Sequence, residues 1–431
     1  MKLLGLSEFI SERYIPSFKH NTIILEGGAF GHMAHPFEDF GLTFGQVKDI
    51  INLALQGQLD KEVSTHEKLD GLALAISWKN GKLIAARNKT DRKNFGSAAL
   101  SKEDVVSKFQ HHPESLSNAF SFAVNDLEKA LMNLKKEDLE SIFNDGHKFM
   151  HFEIIWPAHP MVINYEVPRL IFHTVTEYDE AGNAINDFPG EARKLEKIII
   201  KVNSHIQKNF EIIQPVAVKL PKHIDFSKKQ SYFLKKLSKI QSTANLKDIN
   251  LIGDYIEYMF KDLLEKHDTD SELTPGNLTG LINRWTTMDK SYSVPMIKRD
   301  IKNKQFVEWI LKFDKKEAAK KLREFILPLE VIFLELGATI LKNASGFLAA
   351  NPDEAVQKIR KDVDDAIKKI ESSDDLTMIN TLQLQMAKID AIGGFDAILP
   401  TEGIVFVYNG KTYKFTGAFA PVNRITSLLK F

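Results

Sequence analysis

Cysteine is missing from all 431 residues. That absence removes a disulfide framework, a cysteine nucleophile and every zinc site built on thiolates. It accords with a reducing cytosol. An excess of one charge is missing too: 57 Lys and Arg stand against 57 Asp and Glu, which excludes a uniformly basic nucleic-acid coat. Long apolar runs are scarce. The strongest, Val331 to Leu341, is interrupted by Glu335 and flanked by Pro328, Glu330 and Lys342. It falls short of the ~20 residues a membrane-spanning helix needs, so a buried helix and no membrane partner are expected. Residues Met1 to Arg13 carry Lys2, Glu8 and Glu12, unlike the basic start and unbroken apolar core of a secretory signal. A cytoplasmic protein is the expectation.

What is present suffices for packed cores. Hydrophobic residues make up 43% of the chain, which excludes general disorder, and at roughly 150 residues per domain the length allows two or three. Residues 1–190 mix strand-like and helical patterns, 191–391 are almost wholly helical, and 392–431 return to strands. Leu72 to Trp78 and Lys82 to Ala86 are joined by Asn80-Gly81, the favoured dipeptide of a two-residue hairpin. Gly403 to Tyr408 and Lys411 to Phe415 flank a second such pair, Asn409-Gly410. Lys148 to Trp156 and Arg169 to Thr176 read as further strands. Helical patterns cover Phe44 to Leu55, Lys102 to Phe109 and Ala119 to Leu134. The spacing predicts that the C-terminal strands share a sheet with the N-terminal ones, with a helical domain inserted between.

The neutral total hides segregated charge. From Lys201 to Ile240 there are nine lysines and two acidic residues; Lys298 to Arg323 has ten basic and four acidic. The sign reverses over Asn351 to Asp375, with eight acidic and five basic residues. Lys228, Lys229, Lys235 and Lys236 are the candidate nucleic-acid contacts, through counterion release at phosphates; a solvated face of an amphipathic helix is the other reading.

Ser64-Thr65-His66-Glu67-Lys68-Leu69-Asp70-Gly71 directly precedes the first hairpin. A lysine nucleophile needs its pKa lowered from ~10.4 by desolvation or neighbouring cations. Lys68 stands before an apolar strand that can bury its stem, and Gly71 lets the backbone turn close to a ligand. The segment resembles motif I of the covalent nucleotidyltransferases, which include ATP-dependent DNA ligases, RNA ligases and capping enzymes. The resemblance makes Lys68 the residue that attacks the α-phosphate of ATP, with Glu67, Asp70 and Gly71 beside the nucleotide.

Four further segments follow in the family's order. Ala86-Arg87-Asn88-Lys89 resembles the point where these ligases carry an arginine to the nucleotide sugar or the substrate phosphate. Phe149-Met150-His151-Phe152-Glu153-Ile154-Ile155 resembles motif III, making Glu153 a metal-side carboxylate. Arg169-Leu170-Ile171-Phe172-His173-Thr174-Val175 resembles motif IIIa, in which Phe172 would stack on the base. Thr401-Glu402-Gly403-Ile404-Val405-Phe406 resembles motif IV, whose glutamate helps to hold the divalent ion. Taken singly, Arg87 also fits an exposed strand end, Glu153 an outward edge and Phe172 core packing.

Motif V departs from the pattern. The family places two lysines two apart on one strand; here Lys411 and Lys414 are three apart and cannot share a face of a regular strand. Lys414 is expected in the site, with Lys411 a solvated turn residue or a helper reached through a bulge.

The resemblance covers about residues 60–180 and 398–420. It implies an α+β fold: a nucleotidyltransferase (ATP-grasp-like ligase) domain of antiparallel sheets and helices, with a large all-α insertion between motifs IIIa and IV. It also implies ATP and Mg²⁺ or Mn²⁺ as cofactors, and RNA or DNA ends or nicks as partners. Glu67 directly adjoins Lys68, as in phage nick-sealing RNA ligases, and only 17 residues follow Lys414, short of the oligonucleotide-binding barrel of DNA ligases. An RNA-ligase-like enzyme sealing 5′-phosphate to 3′-hydroxyl ends is therefore expected, in an infected bacterial cell if the chain is phage-encoded. DNA ligation, another acceptor and a non-catalytic nucleic-acid-binding protein are the alternatives. Outside these motifs, Glu26 to Asp39 is glycine-rich and holds His32 and His35, either a metal or phosphate contact or a docked loop. His159 and His173 show no partner in the sequence.

Overall fold

Asn80 and Gly81 take φ of 51° and 74°, and Asn409 and Gly410 take 50° and 72°. Both Asn-Gly pairs therefore form the left-handed turns that match strand twist. In the computed structural model, which describes residues 34–187, 192–206, 209–267, 273–286, 291–348, 352–373 and 375–429, each pair closes a hairpin. The strands are β1 (His66–Lys68), β2 (Leu72–Lys79), β3 (Lys82–Ala86), β4 (Leu100–Ser101), β5 (Lys148–Ile155), β6 (Arg169–Tyr178), β7 (Ala184–Asp187), β8 (Glu211–Ile213), β9 (Gly403–Tyr408) and β10 (Lys411–Phe415). The fold is mixed α+β.

Strands form two sheets rather than the single one expected. Seven lie in one sheet, ordered β4-β3-β2-β5-β6-β7 with β8 parallel to β6. The C-terminal hairpin does pair with an N-terminal strand, but with β1, in a separate three-stranded antiparallel sheet. Gly403 has φ of 137°, and a Cβ there would stand 1.8 Å from the Phe415 carbonyl oxygen. Only glycine lets β9 start that close to β10.

Alternation along the strands decides what each face buries. Leu74, Ile76, Phe152, Ile154, Leu170 and Phe172 share one core with the helices Lys102–Phe109, Glu114–Met132 and Ala192–Asn203. Each such side chain contributes about 1.5–3 kcal/mol when fully buried.

A larger core ignores the three sequence regions. It joins the helix Phe44–Gln56 to the helices between 226 and 341 and to Ile404, Phe406, Tyr413 and Phe415 of the C-terminal hairpin. Thr43 caps the first of these helices, accepting from Gln46 N at 3.1 Å, and Gly57 ends it in the left-handed conformation. Phe333 lies 5.8 Å from Phe415, ring to ring. The helical stretch expected as an insertion thus packs directly on the C-terminal hairpin, and β8, inside that stretch, belongs to the larger sheet.

Val331 to Leu341 falls within the buried helix Ala318–Leu341. No helix among the described residues is long and apolar enough to cross a membrane. Glu335 stays in the core because Lys236 Nζ donates to both its oxygens at 2.6 Å and Tyr232 donates at 3.0 Å. A third core gathers the helices Pro352–Glu371, Leu376–Ala391 and Phe419–Ser427 around Leu69, Ile155 and Ile171. Leu69, which enters this core, lies between Lys68 and β2.

Candidate active site

The last residue of β1 is Lys68, and its register partner is Gly403. That pairing sets Lys68 against the residue just before β9, and Lys68 Nζ donates to Glu402 Oε1. A second contact fixes the strand from its other edge: Glu67 N donates to Val216 O at 3.1 Å, and Val218 N to Thr65 O at 2.8 Å. Backbone pairing on both edges therefore holds the lysine in place.

Burial lowers the Lys68 pKa, but the Glu402 and Glu153 carboxylates outweigh it and hold the ammonium above its ordinary range. The lowered pKa expected for a nucleophile is therefore not met in this arrangement. Glu402 is pushed up to about 7 by burial, against the pull of Lys68. Glu67 is pushed up to about 8, by burial first, with Glu153 and Glu402 adding repulsion; its Oε2 accepts from Leu348 N at 2.7 Å.

Asp70 and Gly71 do structural work beside the site. The Asp70 carboxylate accepts from Val162 N at 2.6 Å and Ile163 N at 2.7 Å, while Asp70 N donates to the Tyr165 hydroxyl at 3.2 Å. A Cβ on Gly71 would stand 2.9 Å from Ile155 Cδ1 and 3.2 Å from the Ile154 carbonyl oxygen. The glycine is needed where β2 approaches β5, whereas the sequence suggested an approach to a ligand.

Glu153 lies on β5 opposite Ala73. Its Oε2 is buried with no hydrogen bond, and His173 Nε2 stands 3.5 Å away. The bulge explains that neighbour. His151 pairs with Thr174 and Phe152 with Phe172, so His173 is the extra residue of β6. An extra residue re-aims a side chain, and here it turns His173 to Glu153. Phe172 goes the other way. It is fully buried in the helix-side core, 5.7 Å from the Phe152 ring, so it is core packing and no stacking partner for a base.

Arg87 also departs from expectation. Its guanidinium lies over the Phe109 and Phe120 rings at 5.3 and 5.2 Å, on the helix side of the larger sheet. The buried arginine beside the site-facing strands is Arg92, 4.8 Å over the Tyr178 ring. Tyr178 in turn hydrogen-bonds His151 Nε2 at 2.8 Å.

Lys414 and Lys411 separate as alternation requires. Lys414 is 6% exposed; burial pushes its pKa down to about 8, against Glu38 and with Lys68 adding to the shift. Lys411 is a solvated residue with an ion pair to Asp39 at 3.0 Å. Residues 34–39 run across this strand: Lys414 N donates to Ala34 O at 3.1 Å and Tyr413 to Asp39 at 2.7 Å. His35 N donates to Glu38 at 2.7 Å and its ring stacks on Phe37, so His35 belongs to a docked segment. His32 lies outside the described residues. His159 hydrogen-bonds Ser115 at 2.9 Å.

The four candidate lysines on the helix Phe226–Thr243 do not share one role. Lys236 is tied to Glu335, Lys228 and Lys235 are exposed, and Lys229 lines a groove.

Lys68, Glu402, Glu153 and Lys414 thus meet at one place. The carboxylates do not make a ready three-ligand cage, and no such group of His, Asp and Glu exists among the described residues. Two carboxylate oxygens, one of them without a hydrogen bond, fit Mg²⁺, which takes one or two carboxylates and fills its shell with water and phosphate. Sequence reasoning missed Glu38 and His66. The latter was legible, since alternation sets it on the Lys68 side of β1; its pKa is lowered by burial and by His173.

No protein-family model matches this chain, and no curated protein or solved structure does either.

Proposed function

We propose that the chain is an ATP-dependent nucleic-acid ligase, RNA-ligase-like in its motifs, that works through a lysyl-AMP on Lys68. The observation that carries this reading is the contact between Lys68 and Glu402, made by pairing β1 with β9. It unites the first and the fourth motif on adjacent strands, beside Glu153 and Lys414.

Lys68 Nζ forms a bond to the α-phosphorus of ATP, the bond to the bridging oxygen breaks, and pyrophosphate leaves. The amine must first lose its proton. Engagement of Glu402 and Glu153 elsewhere withdraws the negative charge that holds it, and burial then favours the neutral form. Glu402 and Glu153 would hold the divalent ion, which when bound neutralises phosphate charge. Lys414, with a pKa near 8, is still mostly cationic at pH 7 and faces the same charge. The adenylate then passes to a 5′-phosphate, and a 3′-hydroxyl displaces AMP.

Incubation with α-labelled ATP tests the first step. Wild type should carry a covalent adenylate and Lys68→Ala none; absence of label from wild type with both ATP and GTP would end the reading. Transfer from the labelled protein to nicked RNA, nicked DNA, hybrid and single-stranded substrates identifies the acceptor. Sealing of nicked DNA alone makes it a DNA ligase.

A further inference from the structure

A groove of about 290 Å³ lies between the helix Phe226–Thr243, the end of the helix Ala318–Leu341 and the turn at 392–399. Lys229 and Lys342 reach it from different helices' ends, beside His223, Thr339 and Asn343. Its one acidic lining residue, Asp396, is compensated by Arg360 at 3.0 Å. The balance favours an anion.

The walls of this groove continue to the Lys68 strand. Beyond Asn343, Ser345 exchanges backbone hydrogen bonds with Lys219 at 2.9 and 3.1 Å, and Leu348 N reaches Glu67. Beyond His223, towards the N-terminus, Val218 N bonds Thr65 O. Lys219 is exposed at the crossing. From Lys342 to Leu348 the chain spans at most about 20 Å.

We propose that this groove and Lys219 bind the backbone phosphates of the nucleic-acid strand whose end is joined at Lys68, with Lys229 and Lys342 as the principal contacts. The choice of partner rests on the ligase reading. Backbone phosphates recur along a strand, which suits cations placed in succession from the groove towards β1. Lys236, held by Glu335, takes no part, and Lys235, on another side of its helix from Lys229, lies outside the track.

The test is the salt dependence of binding of a short 5′-phosphorylated single-stranded RNA by the full chain, followed by fluorescence anisotropy. In wild type the logarithm of the binding constant should fall linearly with the logarithm of salt concentration. In the double variant Lys229→Gln/Lys342→Gln the slope should shrink by about 1.4, at about 0.7 per phosphate contact on a single strand. Lys235→Gln should leave it unchanged, and label at Lys68 should persist in both variants as a check of folding. An unchanged slope in the double variant, or the same loss with Lys235→Gln, overturns the proposal. Missing label on wild type would instead remove the ligase reading, and the slopes would still decide whether the groove takes phosphates.

Discussion

The Lys68 ammonium hydrogen-bonds the carboxylate of a residue 334 positions further along the chain, Glu402. Both side chains are largely shielded, at 21% and 15% exposure, and the contact is made by strand pairing between β1 and β9. Local sequence does not make it. If the site works as proposed, Glu402→Gln should lower the rate of lysyl-adenylate formation by about 10²–10³-fold, the scale of losing one charged group at a transition state. Single-turnover labelling measures this; a loss under tenfold would remove Glu402 from the site.

Lys414 and Lys411 differ in kind although they share a strand. Lys414→Ala should reduce adenylate formation or transfer by about 10²-fold. Lys411→Ala, which removes a surface ion pair to Asp39, should change activity little and stability by about 0–1 kcal/mol. Equal effects of the two substitutions would contradict the assignment of Lys414 alone to the site.

For Phe172 the structure predicts a stability phenotype. Phe172→Ala should cost about 3–5 kcal/mol, the usual loss for a fully buried phenylalanine, read from chemical denaturation. Phe172→Leu should keep the wild-type dependence of labelling on ATP concentration. A raised requirement for ATP with unchanged stability would restore the base-stacking role.

His151 predicts a pH effect. Burial pushes its pKa down to about 3, with Arg92 and His173 adding to the shift. Unfolded histidine binds its proton near pH 6.5, so its contribution is fully present above that pH and is lost as pH falls from about 6.5 towards 3, by at most about 1.4 kcal/mol per unit. Glu67 and Glu402 run the opposite way: raised from 4.5 to about 8 and about 7, they lose stability as pH rises from about 4.5 towards these values. The measurement is therefore the difference between wild type and His151→Gln in denaturation midpoints at pH 7, 6 and 5. Wild type should fall relative to the variant as the pH drops.

Short-range order determined what the sequence alone makes clear. Asn-Gly pairs dictate left-handed turns by their own torsional preferences, so both hairpins are legible from dipeptides between apolar runs. Period-two alternation likewise separates Lys414 from Lys411, and period 3.6 marks the helices. Residues distant in the chain were decided by tertiary structure. The register between β1 and β9 places Glu402 on Lys68, and the one-residue bulge in β6 turns His173 to Glu153 while Phe172 enters the core. A bulge leaves no mark in composition, because its cost and gain lie in the pairing with the neighbouring strand. Charge follows the same division. The lysines were countable in a chain of zero net charge, but the packing of Glu335 decides that Lys236 is consumed in a buried ion pair. Desolvation and partner charge depend on which side chains meet, so pKa shifts and the groove at Lys229 and Lys342 arise only in the folded chain.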